Sequence, residues 1–141
     1  ELNKLLPPLA VLQALAAEMA ADSIENDAVE RLHQINRMFR EALIDKDYYT
    51  ALKQDELFHK IIVDQCENSY LSTMTEMLQA HVRKLFFQKA IILTMDSVTE
   101  HENMIKALEK HDPKQAAGIA KENWMRPIKE YLKVKETLED K

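Results

Sequence analysis

The segment from Tyr48 to Cys66 constrains the fold most, because its apolar residues recur with the spacing of an α-helix. One stripe at intervals of three and four residues comprises Tyr48, Leu52, Asp55, His59, Ile62 and Cys66. Leu57 and Ile61 form a second apolar stripe on roughly the opposite side. A helix that is apolar on two sides must be covered on both. The segment is therefore predicted to be the central helix of the fold.

Asp55 and His59 lie one helical turn apart in the middle of that apolar stripe. An ionised carboxylate in an apolar interior is costly unless a cation, a metal ion or hydrogen bonds compensate for it. Both side chains project to the same point, so one helix can offer two ligands to one cation. The alternative is a structural hydrogen bond between them, or a salt bridge to a neighbouring Lys or Arg, and spacing alone favours this alternative.

The composition indicates an all-α protein, since 141 residues contain one glycine and four prolines, too few for many tight hairpins. The single cysteine excludes an internal disulfide and favours a reducing cytoplasm. A net charge of -5 argues against nucleic-acid binding by this chain itself. The sequence has no uninterrupted apolar run near the ~20 residues of a membrane span, so a soluble cytoplasmic protein is predicted.

Capping residues and prolines divide the chain into helices joined by short links, which predicts an antiparallel bundle of six to seven helices. The expected boundaries are a first helix opened by Pro7 and Pro8 and ending near Ala21, a second from the capping pair Asp27 and Glu30 to about Ile44, the central helix capped by Asp47, a fourth from about Tyr70 to Leu93, a fifth begun by Ser97 and Glu100, and a sixth begun by Asp112 and Pro113 and kinked or restarted at Pro127.

Three further polar residues are predicted to face the interior from other helices. His81 lies on a stripe of the fourth helix with Tyr70, Met74, Met77, Leu78 and Leu85, His101 lies on the inward face of the fifth helix, and Asn123 lies on a face of the sixth. His81 is either a buried structural histidine or a contact to a metal or effector, and Asn123 is either a core amide or a ligand. Together with the central helix, four helices then point a ligand-capable group inward.

Two kinds of catalytic centre are disfavoured by the sequence. Glu30 to His33 and Glu56 to His59 match the Glu-x-x-His pattern of di-iron bundles, but Glu30 and His33 point to the outer side of their helix. Cys66 has no evident electropositive neighbour, and its stripe suggests a small buried hydrophobe instead of a nucleophile. An enzyme is therefore not predicted.

The chain resembles the FCD effector-binding domain of GntR-type bacterial transcription regulators, in the FadR subfamily. The matching residues are Asp55-Glu-Leu-Phe-His59, Asn68, Glu100-His101 with Ile105 and Ala107, and Asp112 before the helix that reaches Asn123. The resemblance implies that Asp55, His59 and His101 bind a divalent metal, zinc or nickel. The fourth ligand position of the family, a histidine, falls here on Asn123. His81 and Arg83 are the expected effector contacts.

The resemblance implies a function as well as a fold. Residues 1–141 are expected to form one effector-binding and oligomerisation domain that binds a small carboxylate at the metal and forms a homodimer. DNA would be bound through the winged helix-turn-helix of the family, which is missing from this chain. The alternative is a metal-free helical dimerisation or interaction module in which Asp55 and His59 form a structural pair.

Overall fold

The structure is a computed structural model that describes residues 2–88 and 93–139. These residues form six helices and contain no strand, which confirms the predicted all-α class. The helices are α1 (Leu2–Ser23), α2 (Asn26–Ile44), α3 (Tyr48–Gln65), α4 (Ser69–Phe87), α5 (Met95–Glu109) and α6 (Pro113–Glu139). Links of two or three residues join most of them; α2 packs on α3 and α5 on α6, whereas α1 packs mainly along α6 and not on α2.

The main core lies between α3 and the helices packed around it. Phe58 and Ile62 of α3 meet Ile105 and Leu108 of α5 there, together with the alanine-rich half of α1. The prediction that α3 is a central helix is correct, but two residues that were predicted to be buried on its apolar stripes are exposed. Tyr48 and Leu57 are 47% and 38% exposed. The bundle covers the side that carries Phe58 and leaves these two residues outward.

The first helix begins five residues before the prolines that were predicted to open it. Pro7 and Pro8 lie inside α1, where they remove two backbone donors. The carbonyls left without an intrahelical donor belong to Asn3 and Lys4, which are exposed and can bind water. Leu6 and the rest of this first part of α1 pack against Trp124 and Ile128 of α6 and Val82 of α4. Tertiary packing therefore extends the helix beyond its local start signal.

α1 is also long and apolar enough to cross a membrane by length and composition alone. No uninterrupted apolar run marked it in the sequence, because Pro, Gln and Glu interrupt it. In the fold, 44% of its most apolar stretch is buried, and the helix packs along α6. Core helices of soluble proteins pass the same test, and this packing accounts for the apolar character of α1.

α4 buries only part of its predicted stripe, since Leu78 and Leu85 pack against the core but the other members do not. Leu71, Thr75 and Val82 are buried, whereas Tyr70, Met74 and Met77 are exposed, and so is His81. Two stripes offset by one residue compete on this helix, and packing against α1 and α3 selects the one with the smaller side chains. The helix ends at Phe87, and the predicted extension to Leu93 passes through residues 89–92, which lie outside the described part of the chain.

Local capping signals located some helix starts and missed others. Asp47 and Asp112 cap as predicted, accepting hydrogen bonds from the backbone N–H of Thr50 and Gln115. The other two starts are wrong: α2 begins at Asn26 and α5 at Met95, so Asp27 and Ser97 lie inside the helices. Pro127 lies within α6, which continues past it.

Asn68 makes the best capping interaction among the described helices, and its replacement by alanine is expected to cost about 1 kcal/mol of unfolding free energy. Its side-chain oxygen accepts from the backbone N–H of Tyr70 and of Leu71, both at 3.1 Å. Urea denaturation of Asn68→Ala measures the loss. The exposed neighbour substitution Ser69→Ala is the control and should change stability by less than about 0.5 kcal/mol. Equal stability of both variants would contradict the capping role.

Candidate metal centre

Two helices bring Asp55, His59 and His101 together in the core. Asp55 and His59 are one turn apart on α3, and α5 places His101 opposite them. Asp55 Oδ1 lies 3.5 Å from His59 Nε2 and 3.1 Å from His101 Nε2. One ligand atom from each residue lies within 4.8 Å of the other two. All three residues are buried, so they form a compact donor set within the core.

The hydrogen bonds of Asn36 fix the tautomer of His101. The amide nitrogen of Asn36 donates to the carbonyl oxygen of Val98 at 3.2 Å, so its amide oxygen faces His101 Nδ1 at 3.0 Å. The opposite amide orientation would place two oxygens against each other. His101 Nδ1 therefore carries a proton and donates it to Asn36. In a neutral imidazole, Nε2 then carries a lone pair.

His101 Nε2 is an orphaned buried atom. It is 3.1 Å from Asp55 Oδ1 but is not aligned for a hydrogen bond and has no other partner. A lone-pair nitrogen and a carboxylate oxygen at this distance repel each other unless a cation lies between them or a proton is shared. Buried polar atoms almost always have a partner, so Nε2 of His101 is an atom that could bind a cation as a ligand.

The environment favours the protonation states that a metal site requires. Burial lowers the pKa of His101 and so favours its neutral form, despite the nearby carboxylate. Burial alone would raise the pKa of Asp55, but His59 and His101 outweigh it and hold that pKa below its usual value. An ionised carboxylate beside a neutral imidazole is the form in which both residues bind metals.

Acidification is expected to destabilise the metal-free domain. Because the folded-state pKa of His101 is below the unfolded value of about 6.5, its contribution is complete above that pH and is lost as the pH falls below it. Asp55 adds a similar loss below about pH 4. Urea midpoints of the apo domain at pH 7.5 and pH 5.5 measure the effect of His101. His101→Gln should show a smaller fall than wild type or the exposed-site control His33→Gln; an equal fall would contradict the assignment.

Aromatic side chains pack against both histidines of the cluster. The ring of Phe58 stacks on His101 with centroids 4.0 Å apart and an interplanar angle of 13°. Phe39 packs on the same histidine at 5.1 Å, and Trp124 packs against His59 at 4.7 Å. This apolar shell fixes the imidazole planes and keeps the local dielectric low. Sequence analysis missed Asn36 and Trp124, although Asn36 falls on the inward stripe between Leu32 and Phe39.

Asn123 lies beside the Asp55, His59 and His101 cluster, but its side chain is hydrogen-bonded to Glu100. It lines a cavity of about 30 Å³ together with Asp55 and His59. Its amide nitrogen donates to Glu100 at 2.8 Å, so its oxygen is the atom that could serve as a ligand. Glu100 also accepts from Arg126, which in turn donates to Ser97 at 2.6 Å. Arg126, which sequence analysis missed, thereby ties α6 to the start of α5.

The two predicted effector contacts, His81 and Arg83, lie in different places. Arg83 is exposed and donates to both carboxylate oxygens of Glu56 at 3.0 Å. It lines a surface cavity of about 330 Å³ that also reaches His59. His81 is exposed and lines a separate cavity with Lys4 and Lys84. The predicted inward orientation of His81 is wrong, and this residue does not join the buried cluster.

His33 and Cys66, for which the sequence predicts neither metal binding nor catalysis, lie in surroundings that agree with that prediction. His33 is exposed and its Nε2 lies 2.8 Å from a carboxylate oxygen of Glu109, far from the interior site that a di-iron pattern requires. Cys66 is half-buried, and its thiol donates to the carbonyl oxygen of Ala16 at 3.1 Å. Burial raises the pKa of Cys66 to about 11. A thiol in this state is a poor nucleophile at neutral pH.

Several solved structures share this fold, including the following two. One is Streptococcus agalactiae GntR, with a TM-score of 0.77 and 19% identity over 88% of this chain. The other is E. coli McbR/YncC, with a TM-score of 0.83 and 15% identity over 94% of this chain. This chain spans 56% and 64% of their lengths, respectively. No curated protein sequence matches it.

The sequence itself also matches the model of a known protein family. The FCD domain model aligns with residues 8–124, which include the three clustered ligand candidates on α3 and α5 as well as Asn123. The match covers most of the chain and agrees with the helical fold of the two structural neighbours. The chain therefore belongs to the FCD domain family.

Proposed function

We propose that this chain is the ligand-sensing domain of a GntR-family transcription regulator. In this proposal, Asp55, His59 and His101 hold a divalent metal ion, and a small organic acid binds beside it. The observation that carries the proposal is the buried cluster of three ligand atoms in which His101 Nε2 has no hydrogen-bond partner. Family membership supports a regulatory role over a catalytic one.

The residues present fit a zinc or nickel ion. Two imidazole nitrogens and one carboxylate oxygen form a mixed donor set of the kind these metals accept. Asn36 provides the hydrogen bond that orients His101, as outer residues commonly do in metal sites. A cation bound there would supply the positive charge that attracts a carboxylate. We assign the fourth protein position to the oxygen of Asn123, which is a weaker donor than a histidine nitrogen.

His59 links the buried cluster to solvent. It is itself buried, yet it lines both the cavity of about 30 Å³ beside Asp55 and Asn123 and the surface cavity of about 330 Å³. The smaller space has the size of one water molecule, whereas the larger one can hold a small organic molecule. An acid entering from the surface would therefore reach the metal site past His59.

The same geometry suggests how binding is transmitted. The surface cavity is bounded by α1, α3 and α4, and the metal residues belong to α3 and α5. A ligand that contacts several helices favours the packing in which it binds best. In a homodimer, a change in that packing alters the spacing of two DNA-binding domains and so the affinity for an operator. DNA binding itself belongs to the winged-helix domain expected in the complete regulator.

Metal analysis tests the assignment directly. The purified chain is dialysed against zinc or nickel and then against metal-free buffer, and the retained ion is measured by mass spectrometry. Wild type and His33→Gln should retain one ion per chain, whereas Asp55→Asn and His101→Gln should retain far less. Asparagine and glutamine keep the size of the replaced residues, so circular dichroism should show intact helices. Equal retention in all four proteins would refute the site.

A metal-free structural module is the second candidate. Asp55 lies within ion-pair distance of both histidines, so a shared proton could hold the three together without a metal. In that case a chelator should leave the melting temperature unchanged, and the chain should act only through dimerisation. The orphaned Nε2 of His101 favours the metal site over this alternative.

A further inference from the structure

A network of polar side chains beside Asn123 joins α5 to α6. Ser97 and Glu100 lie three residues apart on α5, and Asn123 and Arg126 lie three residues apart on α6. The sequence predicted Ser97 and Glu100 to begin a helix, but both lie inside α5, and their side chains bind α6 instead. The network therefore has a role other than starting α5.

Arg126 fixes the carboxylate of Glu100. Its Nε lies 3.1 Å from one carboxylate oxygen and 3.2 Å from the other. The same guanidinium donates to the hydroxyl of Ser97 at 2.6 Å and to Glu130 at 3.1 Å. A guanidinium presents its donors in a rigid planar fork, so three partners together fix its orientation. Glu100 is thus held in place by α6, although it belongs to α5.

Glu100 in turn selects which end of the Asn123 amide faces the metal candidates. A carboxylate accepts hydrogen bonds and does not donate them, so it binds the nitrogen end of an amide, and Asn123 Nδ2 donates to Glu100 at 2.8 Å. The amide oxygen is then the end left for the cavity of about 30 Å³ that Asn123 lines with Asp55 and His59. The opposite orientation would place two oxygens against each other.

We infer that Glu100 is a positioning residue for the metal site: it turns the oxygen of Asn123 toward the ion, and Arg126 holds Glu100 in place. This inference rests on the proposed function, in which Asn123 is the fourth ligand. An asparagine needs such a partner because only its oxygen end binds a metal, whereas a carboxylate can bind through either oxygen. Without Glu100, the amide would also adopt the orientation that turns its nitrogen toward the ion, and metal affinity would fall.

Substitutions at both positions test this role. Glu100→Gln should raise the zinc dissociation constant by about tenfold or more, the usual effect of losing an outer partner of a metal ligand. In the Asn123→Asp background, the same substitution should change that constant by less than about threefold, because either oxygen of an aspartate can bind the ion. Glu130→Gln is the matched control, since it removes the other carboxylate that accepts from Arg126 and leaves the hydrogen bond of Asn123 in place. Competition with a chromophoric zinc chelator measures each constant, and circular dichroism checks each fold.

A crystal structure of the zinc-loaded wild-type chain tests the orientation without any substitution. The oxygen of Asn123 should lie about 2.0–2.5 Å from the ion, with its nitrogen on Glu100.

The outcomes separate this inference from the proposed function. Asn123 turned away from the ion, an unchanged constant in folded Glu100→Gln, or equal losses in both backgrounds would overturn the positioning role. The metal site of Asp55, His59 and His101 would still stand in each of these cases. If the wild-type chain binds no zinc, the proposed function fails on its own measurement, and this inference fails with it.

Discussion

Addition of zinc to the metal-free domain is expected to raise its melting temperature by on the order of 10 °C. A ligand present at a thousandfold excess over its dissociation constant stabilises the folded state by about 4 kcal/mol, provided that it binds only that state. For a domain of this size, each kcal/mol corresponds to a few degrees. The effect should be large because Asp55 and His101 are buried and face each other before the ion arrives.

Differential scanning calorimetry with and without zinc measures this shift, and a chelator should reverse it. Asp55→Asn removes the only carboxylate of the cluster and should reduce the shift to a small fraction of the wild-type value. Asp64→Asn is the matched control, since Asp64 lies on the same helix but is exposed and paired with Lys60. A shift of equal size in Asp55→Asn and wild type would show that zinc stabilises the fold elsewhere.

Replacement of Phe58 by alanine is expected to lower the free energy of unfolding by about 3–5 kcal/mol. Phe58 is fully buried, and its ring lies parallel to His101 at a centroid distance of 4.0 Å. Alanine leaves a cavity in the main core and also removes the surface that holds the imidazole plane. The substitution should therefore weaken metal binding as well as the fold.

Urea denaturation of the apo protein measures the first effect and metal titration the second. Phe58→Leu is the variant that separates them, because it keeps much of the core volume but cannot stack on His101. Phe87→Ala is the control: Phe87 is 59% exposed, and its loss should cost less than about 1 kcal/mol. Metal affinity equal to wild type in folded Phe58→Leu would show that stacking does not position His101.

The sequence alone locates the helix on which the candidate site depends. Asp55 and His59 lie one helical turn apart within an apolar stripe. α3 buries both of them, as their place on that stripe predicts. The inward position of His101 follows in the same way from Val98, Met104, Ile105 and Leu108. These predictions hold because helical periodicity is local and each stripe has one clear apolar side. The metal itself remains a prediction.

Other features depend on competition between local signals. α4 carries two stripes offset by one residue, and the periodicity alone selected the one with Tyr70 and Met77, which the bundle leaves exposed. Pro7 and Pro8 signal a helix start, yet packing of Leu6 against α6 extends the helix before them. At the prolines, the free energy of burying apolar surface exceeds a local preference of smaller size, whereas on α4 the fit against the neighbouring helices decides which stripe is buried.

The amino-acid sequence by itself determined that the chain is helical, where the central helix lies and that Asp55, His59 and His101 face the interior. Tertiary structure alone decided that His101 meets Asp55 at 3.1 Å, that Asn36 sets its tautomer, and that Gln13 and Gln79 face one cavity. Periodicity assigns each residue to a face of its own helix. The distances between faces depend on how all six described helices pack, which involves residues far apart in the chain.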